Sequence, residues 1–317
     1  MRREYGSIAA MTAILVGCQL VAIALSPLFY ASNFQAFQNP GDVTNTVIYI
    51  VMILAFTGAI LVLVRFRRQN IAKYVVMGSI FVTLAFVLLL PLAYGLDFVT
   101  GSRLSNDALG YAATVLSFAI AAALVYLLVK FPEWYVVDAV GITTAAGVTA
   151  ILGISFGLLP AILLLVALAI YDAWAVYRTK HMITLADELT SQRLPILLVI
   201  PKKSGYSFRD QKSLKAQVAS GEEREAMFVG LGDLIIPGIL AVSSFTYATQ
   251  PGNAILGLAP NALLALGCVL GCLVGFMVLM RYVLKGNPQA GLPLLNGGTI
   301  LGFVVASLLA YGTVRIF

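Results

Sequence analysis

Two long apolar stretches, residues 157–178 (GLLPAILLLVALAIYDAWAVYR) and 224–247 (REAMFVGLGDLIIPGILAVSSFTY), decide the fold of this chain. Each is long enough to cross a ~30 Å hydrocarbon core as a helix, which takes about 20 residues. Each also holds one aspartate within its apolar run, Asp172 in the first and Asp233 in the second. A carboxylate at membrane depth costs at least ~2.5 kcal/mol on insertion scales, so its presence there indicates a function.

The rest of the chain has the same membrane character. Hydrophobic residues make up 60% of the sequence and charged residues 11%. Backbone exposed to lipid must satisfy its own hydrogen bonds, so we predict an all-α, polytopic membrane protein with about nine transmembrane helices. The predicted spans are residues 6–29, 46–64, 74–94, 108–129, 135–154, 157–178, 224–247, 260–282 and 292–314. The first span is longer than a signal-peptide core and lacks a clear small-residue cleavage site, so we expect it to be retained.

The basic residues predict how the chain is oriented. With the N-terminus in the cytoplasm, all but two of the 20 Lys and Arg residues lie on the cytoplasmic side, the exceptions being Arg103 and Arg315. This is the distribution that the positive-inside rule prefers, and an odd number of spans then places the C-terminus outside. The net charge of +6 therefore indicates membrane orientation and not nucleic-acid binding. Anionic lipid of the bilayer is the expected partner of the basic loops.

Charge also divides the chain into three parts. Residues 1–178 form an N-terminal membrane block of six predicted helices, and residues 224–317 form a C-terminal block of three. The charged segment 179–223 between them is predicted to be a mobile cytosolic linker. Its apolar run, Leu194–Ile200, is too short to span a membrane and fits either a strand or a segment at the membrane edge.

Several kinds of chemistry are excluded by what the chain lacks. Its single histidine, His181, lies outside the predicted spans, so neither an HExxH zinc site nor a buried Ser–His pair can form at membrane depth. The three cysteines are Cys18, Cys268 and Cys272, which we interpret as packing residues and not as a metal site or disulfide framework. The sequence also has no GxxxxGK[ST] phosphate loop. We therefore predict no metal and no cofactor.

The two intramembrane aspartates are predicted to lie at similar depth. Asp172 is about 9 Å before Arg178 along a helix, and Asp233 is about 12 Å after Glu225, which places both in the cytoplasmic third. If their helices are neighbours, the carboxyls face each other and share one proton. One then serves as a base that activates water and the other as an acid that protonates the peptide carbonyl, as in aspartic proteases. The sequence leaves open which aspartate is which.

The residues around the two aspartates carry a family resemblance. Tyr171 precedes Asp172, and Gly230, Leu231 and Gly232 precede Asp233. These YD and GxGD motifs resemble those of the presenilin and signal-peptide-peptidase family of intramembrane aspartyl proteases, which carry them on the sixth and seventh helices. The resemblance covers the nine-span plan, and the predicted orientation is most similar to that of an archaeal presenilin homologue.

The resemblance implies an activity and a set of partners. The expected function is an intramembrane aspartyl endopeptidase that hydrolyses peptide bonds within transmembrane segments. Its expected substrates are single-span membrane proteins or peptides that enter laterally from the lipid bilayer, with no nucleic acid involved. The sequence is also compatible with a homo-oligomer.

A third motif is less regular. The family carries Pro-Ala-Leu, often followed by Pro, at the start of the ninth span, where this chain has Ala290, Gly291, Leu292 and Pro293. The first proline of the motif is thus absent and its alanine is glycine. Because Gly286, Pro288, Gly291 and Pro293 break helix here, we expect a loop that positions substrate. We expect Gly230 and Gly232 to permit non-helical backbone and close approach at Asp233.

Three further interpretations depend on neighbouring residues. A substrate helix must unwind before cleavage, and an enzyme strand edge, either Leu194–Ile200 or the segment before Leu292, would pair with its freed backbone. Asp138 lies near Glu133, where its carboxylate reaches water, so we expect a structural role, with gating as the alternative. Tyr171 is expected to be a packing aromatic or a flap over the dyad.

Two rival functions share part of this pattern. A proton- or cation-coupled transporter or channel would use the aspartates as ion-relay groups, but such proteins usually show two related halves with matched helix interruptions. No internal repeat is evident in this sequence. Prepilin and preflagellin peptidases share GxGD but have fewer spans.

Overall fold

The computed structural model describes residues 2–66, 69–101, 103–179, 197–202, 205–208, 226–249, 251–255, 257–284 and 289–316. Within them, nine α-helices form at the nine predicted places. They are α1 (Arg2–Ala31), α2 (Thr44–Arg65), α3 (Gln69–Thr100), α4 (Asn106–Lys130), α5 (Trp134–Ser155), α6 (Leu158–Trp174), α7 (Leu231–Tyr247), α8 (Pro260–Leu284) and α9 (Gly291–Tyr311). A π-helical turn, Ala175–Thr179, follows α6 directly.

The apolar helices make this chain a multi-pass integral membrane protein. By length and composition, seven helices in the described part of the chain can cross a membrane: α1, α3, α4, α5, α6 with its π turn, α8 and α9. The apolar parts of the other two, Thr44–Ile60 and Leu231–Tyr247, are shorter. The all-α membrane fold predicted from the sequence is therefore confirmed, while the count of nine spans and their orientation stay predictions.

One predicted span has a different structure at its start. The helix expected over 224–247 begins only at Leu231, because Ala226–Gly230 form strand β2. This strand pairs antiparallel with β1 (Leu197–Pro201), and Val199 lies opposite Phe228 in the register. Helix was the wrong prediction here. A partner strand that is distant in sequence pairs with this segment and satisfies the backbone of Met227 and Val229, and Phe228 and Val229 are residue types that suit a strand.

The predicted linker is described only in part. Residues 180–196, 203–204 and 209–225 lie outside the described residues, so the three-part division of the chain stays a prediction. Within the apolar run, the strand alternative is confirmed for Leu197–Ile200, and Leu194–Ile196 also lie outside the described residues. Residues 205–208 follow the strand, and Phe208 is buried in a cluster with β1 and β2.

Helices α5 and α7 form the centre of the bundle, and both are buried along most of their length. Polar contacts add to their apolar packing: the Ser243 hydroxyl of α7 donates to the carbonyl of Phe156, just past α5, at 2.8 Å. Helix α1 packs against both and contributes Phe29 and Ala22 to the same core. The start of α7, which carries Asp233, is thus attached to the most buried part of the molecule.

Helices α8 and α9 approach each other through glycine. A Cβ atom added at Gly271 would collide with the carbonyl of Gly298, and one added at Gly302 would collide with the carbonyl of Gly267. Small residues spaced four apart allow this kind of close backbone packing in membranes, where no hydrophobic driving force operates between helices. The glycine contact fixes where α9 runs, and therefore where its N-terminus lies.

Candidate active site

Asp172 lies near the end of α6 and points to the start of α9. Its Oδ2 accepts a hydrogen bond from the backbone N–H of Leu292 at 3.1 Å, and the N–H of Gly291 also faces this carboxylate. The first N–H groups of a helix have no partner within the helix, and they carry the positive end of its dipole. Asp172 therefore caps α9 from a different helix.

Asp233 lies in the first turn of α7, three residues after β2 ends. Both of its carboxylate oxygens are 3.3 Å from the position that a Cβ atom would occupy at Gly291. This is closer than an ordinary van der Waals contact, so a side chain at position 291 would require the Asp233 carboxyl group or the start of α9 to shift by a few tenths of an ångström. Among the described residues, no side chain or backbone group hydrogen-bonds to Asp233.

Both carboxyl groups thus lie next to the start of α9, Asp172 at the N–H of Leu292 and Asp233 at Gly291, and they interact electrostatically. Three helices that are far apart in sequence bring them there: α6 carries Asp172, α7 carries Asp233, and the N-terminus of α9 lies against both. Two interacting carboxyl groups that are partly buried, as these are, can hold a shared proton. It can therefore supply one acid and one base at neighbouring positions.

The glycines of the GxGD motif leave space beside Asp233. Gly230 has φ −66° and ψ 138°, a non-helical conformation that any residue adopts, so the backbone does not require glycine there. A Cβ atom at Gly230 would touch only the Asp233 carboxyl, at 3.7 Å, and one at Gly232 would meet nothing within 4 Å. The close backbone approach expected at these two glycines occurs instead at Gly291.

The other motif residues lie around this point. Leu231 packs its side chain on α5 at Gly141, and the half-exposed Tyr171 ring lies against Trp174, with ring centroids 6.4 Å apart. Ala290 is buried as the N-cap of α9. Leu292 packs against the main core cluster, while Pro293 falls in the first helical turn, where no N–H is needed. Gly286 and Pro288 lie outside the described residues.

Sequence reasoning missed one contact beside the aspartates. The Tyr177 hydroxyl, in the π turn after α6, donates to Oε1 of Gln289 at 2.6 Å, just before α9. It is a second link between the end of α6 and the start of α9, in addition to Asp172. The motifs gave no signal for it, because a π turn shifts the facing of side chains in a way that helical spacing does not predict.

Asp138 does not have the surroundings expected from the sequence. Its side chain is only 7% exposed, and its Oδ1 accepts a hydrogen bond from the backbone N–H of Val199 in β1 at 2.8 Å. The expectation that this carboxylate reaches water is therefore wrong, because β1 covers it. Glu133, one residue before α5, accepts from the Ser207 hydroxyl at 3.1 Å and from the N–H of Phe208 at 3.2 Å.

Comparisons with known proteins show to which family this chain is similar. A family model described as "Signal-peptide peptidase, presenilin aspartyl protease" matches residues 11–312. The structure is similar to two solved structures of a presenilin family intramembrane aspartate protease. One, in space group C222, has a TM-score of 0.66 and 37% identity, covering 96% of this chain and 99% of that chain. The other, in space group P2, has a TM-score of 0.63 and 36% identity, covering 95% and 97%.

A curated relative is more distant. Signal peptide peptidase-like 2A of Mus musculus is 27% identical over 155 residues, which is 46% of this chain and 27% of the mouse protein. The match thus spans about a quarter of that relative's length. The family model, in contrast, spans nearly all of this sequence, and the two solved structures align over almost their whole length. The chain therefore belongs to the signal-peptide peptidase and presenilin family of intramembrane aspartyl proteases.

Proposed function

We propose that this chain is an endopeptidase in which Asp172 and Asp233 form the catalytic dyad and hydrolyse peptide bonds within transmembrane segments of its substrates. The observation that carries the proposal is the meeting of both carboxyl groups at the Gly291–Leu292 peptide. Acid–base hydrolysis by two carboxyl groups needs no metal and no covalent nucleophile. A peptide carbonyl lying between them would find a base for the attacking water and an acid for its own oxygen.

The N-terminus of α9 supports a division of roles within the dyad. Backbone N–H groups of Gly291 and Leu292 face Asp172, and hydrogen bonds from a helix N-terminus favour negative charge. Asp233 has no such donor among the described residues. In our proposal, Asp172 holds the negative charge and takes a proton from water, while Asp233 holds the shared proton and gives it to the carbonyl oxygen.

Strand β2 is the proposed binding edge for an unwound substrate. The N–H of Val199 points to Asp138 and away from β2, so the Val199–Phe228 pair is a non-hydrogen-bonded pair of the antiparallel ladder. The N–H and C=O of Phe228 then also point outward, on the other side of the sheet. No hydrogen bond joins them to another described residue. Because β2 ends at Gly230, three residues before Asp233, a strand added on this edge would run towards the dyad.

This proposal differs from the sequence analysis, which considered Leu194–Ile200 or the segment before Leu292 as the strand edge that binds substrate. The run Leu194–Ile200 does form part of a strand, but its outward N–H at Val199 is already bound by Asp138. We therefore propose β2 and not β1 as the receiving edge. Ala290–Pro293 would then lie opposite β2 across the dyad and help to position the substrate backbone.

The proposal is tested by cleavage of a labelled single-span peptide in liposomes that contain the purified protein. We expect two products whose masses place the cut within the transmembrane segment. Folded protein that yields no product from a panel of such peptides would contradict the proposal. If that protein instead carried protons across the liposome membrane in a manner dependent on Asp172 and Asp233, the ion-relay alternative would be supported.

Strand addition predicts a periodic dependence on the substrate's amides. In an antiparallel ladder, only alternate residues of the added strand donate to its partner. Methylating single backbone nitrogens of the peptide should therefore reduce kcat/KM by about tenfold at every second position near the cut, as expected for lost hydrogen bonds of ~1 kcal/mol or more. A uniform loss at all positions, or none at any, would contradict binding on the β2 edge.

Gly291 provides a prediction on the geometry of the dyad. Gly291→Ala places a methyl group 3.3 Å from both Asp233 oxygens, so Asp233 or the start of α9 must move. The shift needed is a few tenths of an ångström; since about 1 Å at a catalytic group costs on the order of 100-fold in rate, we expect turnover of the bound peptide to slow by up to about tenfold. Gly297→Ala is the matched control: Gly297 lies on the same helix, and a Cβ atom added there meets nothing within 4 Å. Equal activity of the two variants would contradict the prediction.

A further inference from the structure

We propose that Asp138 is a positioning residue for the reaction. By binding the outward N–H of Val199, it closes one edge of the two-stranded sheet. It thereby fixes where β2 lies, and so where β2 holds the substrate relative to the dyad. Asp138 belongs to none of the three motifs, which are YD, GxGD and the ninth-span motif. The inference rests on the proposed proteolysis, and its test below separates the two.

The contact itself is buried and direct. The Asp138 side chain is 7% exposed and Val199 is fully buried, and Oδ1 lies 2.8 Å from the Val199 nitrogen. Burying a carboxylate without a partner is costly, so the N–H and the carboxylate hold each other strongly. A buried hydrogen bond at the centre of a five-residue strand fixes the position of that strand along α5.

The same part of α5 also supports the start of α7. Gly141 lies nearly one helical turn after Asp138, and a Cβ atom added there would be 3.0 Å from Leu198 of β1 and 3.2 Å from Leu231, the first residue of α7. Strand β1 and the turn that carries Asp233 therefore rest on adjacent positions of one helix. A shift of β1 on α5 would be passed to β2 through the ladder and to Leu231 through this contact.

Glu133 extends the attachment beyond the strand. It accepts hydrogen bonds from the Ser207 hydroxyl and the Phe208 N–H, which lie six and seven residues past the end of β1. The Phe208 ring packs towards Phe228 of β2, with ring centroids 6.4 Å apart. Two carboxylates of the α5 region thus bind backbone on both sides of Pro201. Of the two, only Asp138 contacts the strand itself, so it alone is expected to set the sheet's register against α5.

The test compares Asp138→Ala with wild type in the liposome cleavage assay, and it records both the kinetic constants and the distribution of cut sites by mass spectrometry. We expect kcat/KM to fall by about tenfold, the order expected for small displacements of a reacting geometry, and the cut sites to shift or broaden. The ratio of products does not depend on how much enzyme is active. A merely structural role would therefore reduce the yield of active protein and leave that ratio unchanged.

Three further variants sharpen the result. Asp138→Asn keeps a side-chain oxygen that can accept from Val199, so it should restore the wild-type distribution of cut sites. Thr143→Val is the matched control on α5, since its hydroxyl bonds only within its own helix. Val199→Pro removes the donor without breaking a β1–β2 ladder bond, because that N–H points to Asp138. It should reproduce the shift of Asp138→Ala, and combining the two should add nothing.

Clear outcomes overturn the proposal. If Asp138→Ala is active and its distribution of cut sites is unchanged, the proposal is wrong. If that variant does not fold, an unchanged distribution in Val199→Pro contradicts the proposal in the same way. Wild-type protein that cleaves no peptide would instead remove the proposed function, and this inference with it. The two failures differ because only the second affects the wild type.

Discussion

Asp172→Asn and Asp233→Asn are each expected to reduce cleavage of a single-span peptide to background while leaving the protein folded. The amide of asparagine has nearly the shape of a carboxylic acid, but it can neither take up nor release a proton. Positioned acid–base groups contribute about 10²–10⁴-fold each, so we expect turnover to slow by at least ~10²-fold for either variant. Purified protein in liposomes, matched for amount and thermal stability, gives the measurement.

The double variant makes this prediction specific to a dyad. Residues that act as one unit lose most of the activity when either is removed, so Asp172→Asn combined with Asp233→Asn should be no slower than the single variants. Asp107→Asn is the matched control, because Asp107 is an exposed aspartate in the first turn of α4. If either single variant kept more than about a tenth of the wild-type rate, well outside the range for a lost acid or base, the dyad assignment would be wrong.

The second large effect is expected at the glycine contact between α8 and α9. Gly298→Val would drive its side chain into the backbone carbonyl of Gly271, and backbone cannot move aside as a flexible side chain can. Overpacking typically costs about 1–3 kcal/mol in the free energy of unfolding, and we expect the upper end of that range. Gly297→Val on the same helix is the control, since its neighbourhood is open.

The functional consequence should follow the structural one. Helix α9 carries the N–H groups that face Asp172 and the glycine that lies against Asp233. Separating α9 from α8 therefore moves the start of α9, and we expect Gly298→Val to lose activity even at temperatures where it stays folded. A thermal denaturation curve and the cleavage assay measure the two effects. If Gly298→Val and Gly297→Val were equally stable, the close approach of these helices would not contribute as we infer.

Much of the fold could be predicted because its signals are local. Nine apolar stretches predicted nine helices, since the ~30 Å thickness of the membrane sets the length of each stretch independently of the others. The membership of the family was also visible in short motifs around Tyr171, Asp172 and Gly230–Asp233. The error at 226–230 arose because an apolar run in a membrane protein indicates helix, unless another segment offers a strand partner.

The candidate site could be predicted only as a pair of residue types at matched depth. The depth of about 9 Å for Asp172 followed from the helical rise, but the depth of about 12 Å for Asp233 assumed a helix where Ala226–Gly230 form a strand, so that estimate is wrong and the matched depth stays a prediction. Gly291 could be identified as part of an altered motif, but not as the residue that lets α9 touch Asp233. Tyr177 and Gln289 gave no signal, and the burial of Asp138 contradicted the expectation drawn from its neighbours in sequence.

By itself, the sequence determined the environment of this protein, its helices, its family and the two aspartates that make it of interest, because hydropathy, charge and short motifs are properties of neighbouring residues. Only the tertiary structure decided which groups touch. The Asp172–Leu292 contact joins residues 120 positions apart, and the Asp138–Val199 contact joins residues 61 apart. Such contacts depend on how closely two backbones pack, which is set by contacts between distant segments: the glycines between α8 and α9 set it for the start of α9, and Gly141 sets it for β1 on α5.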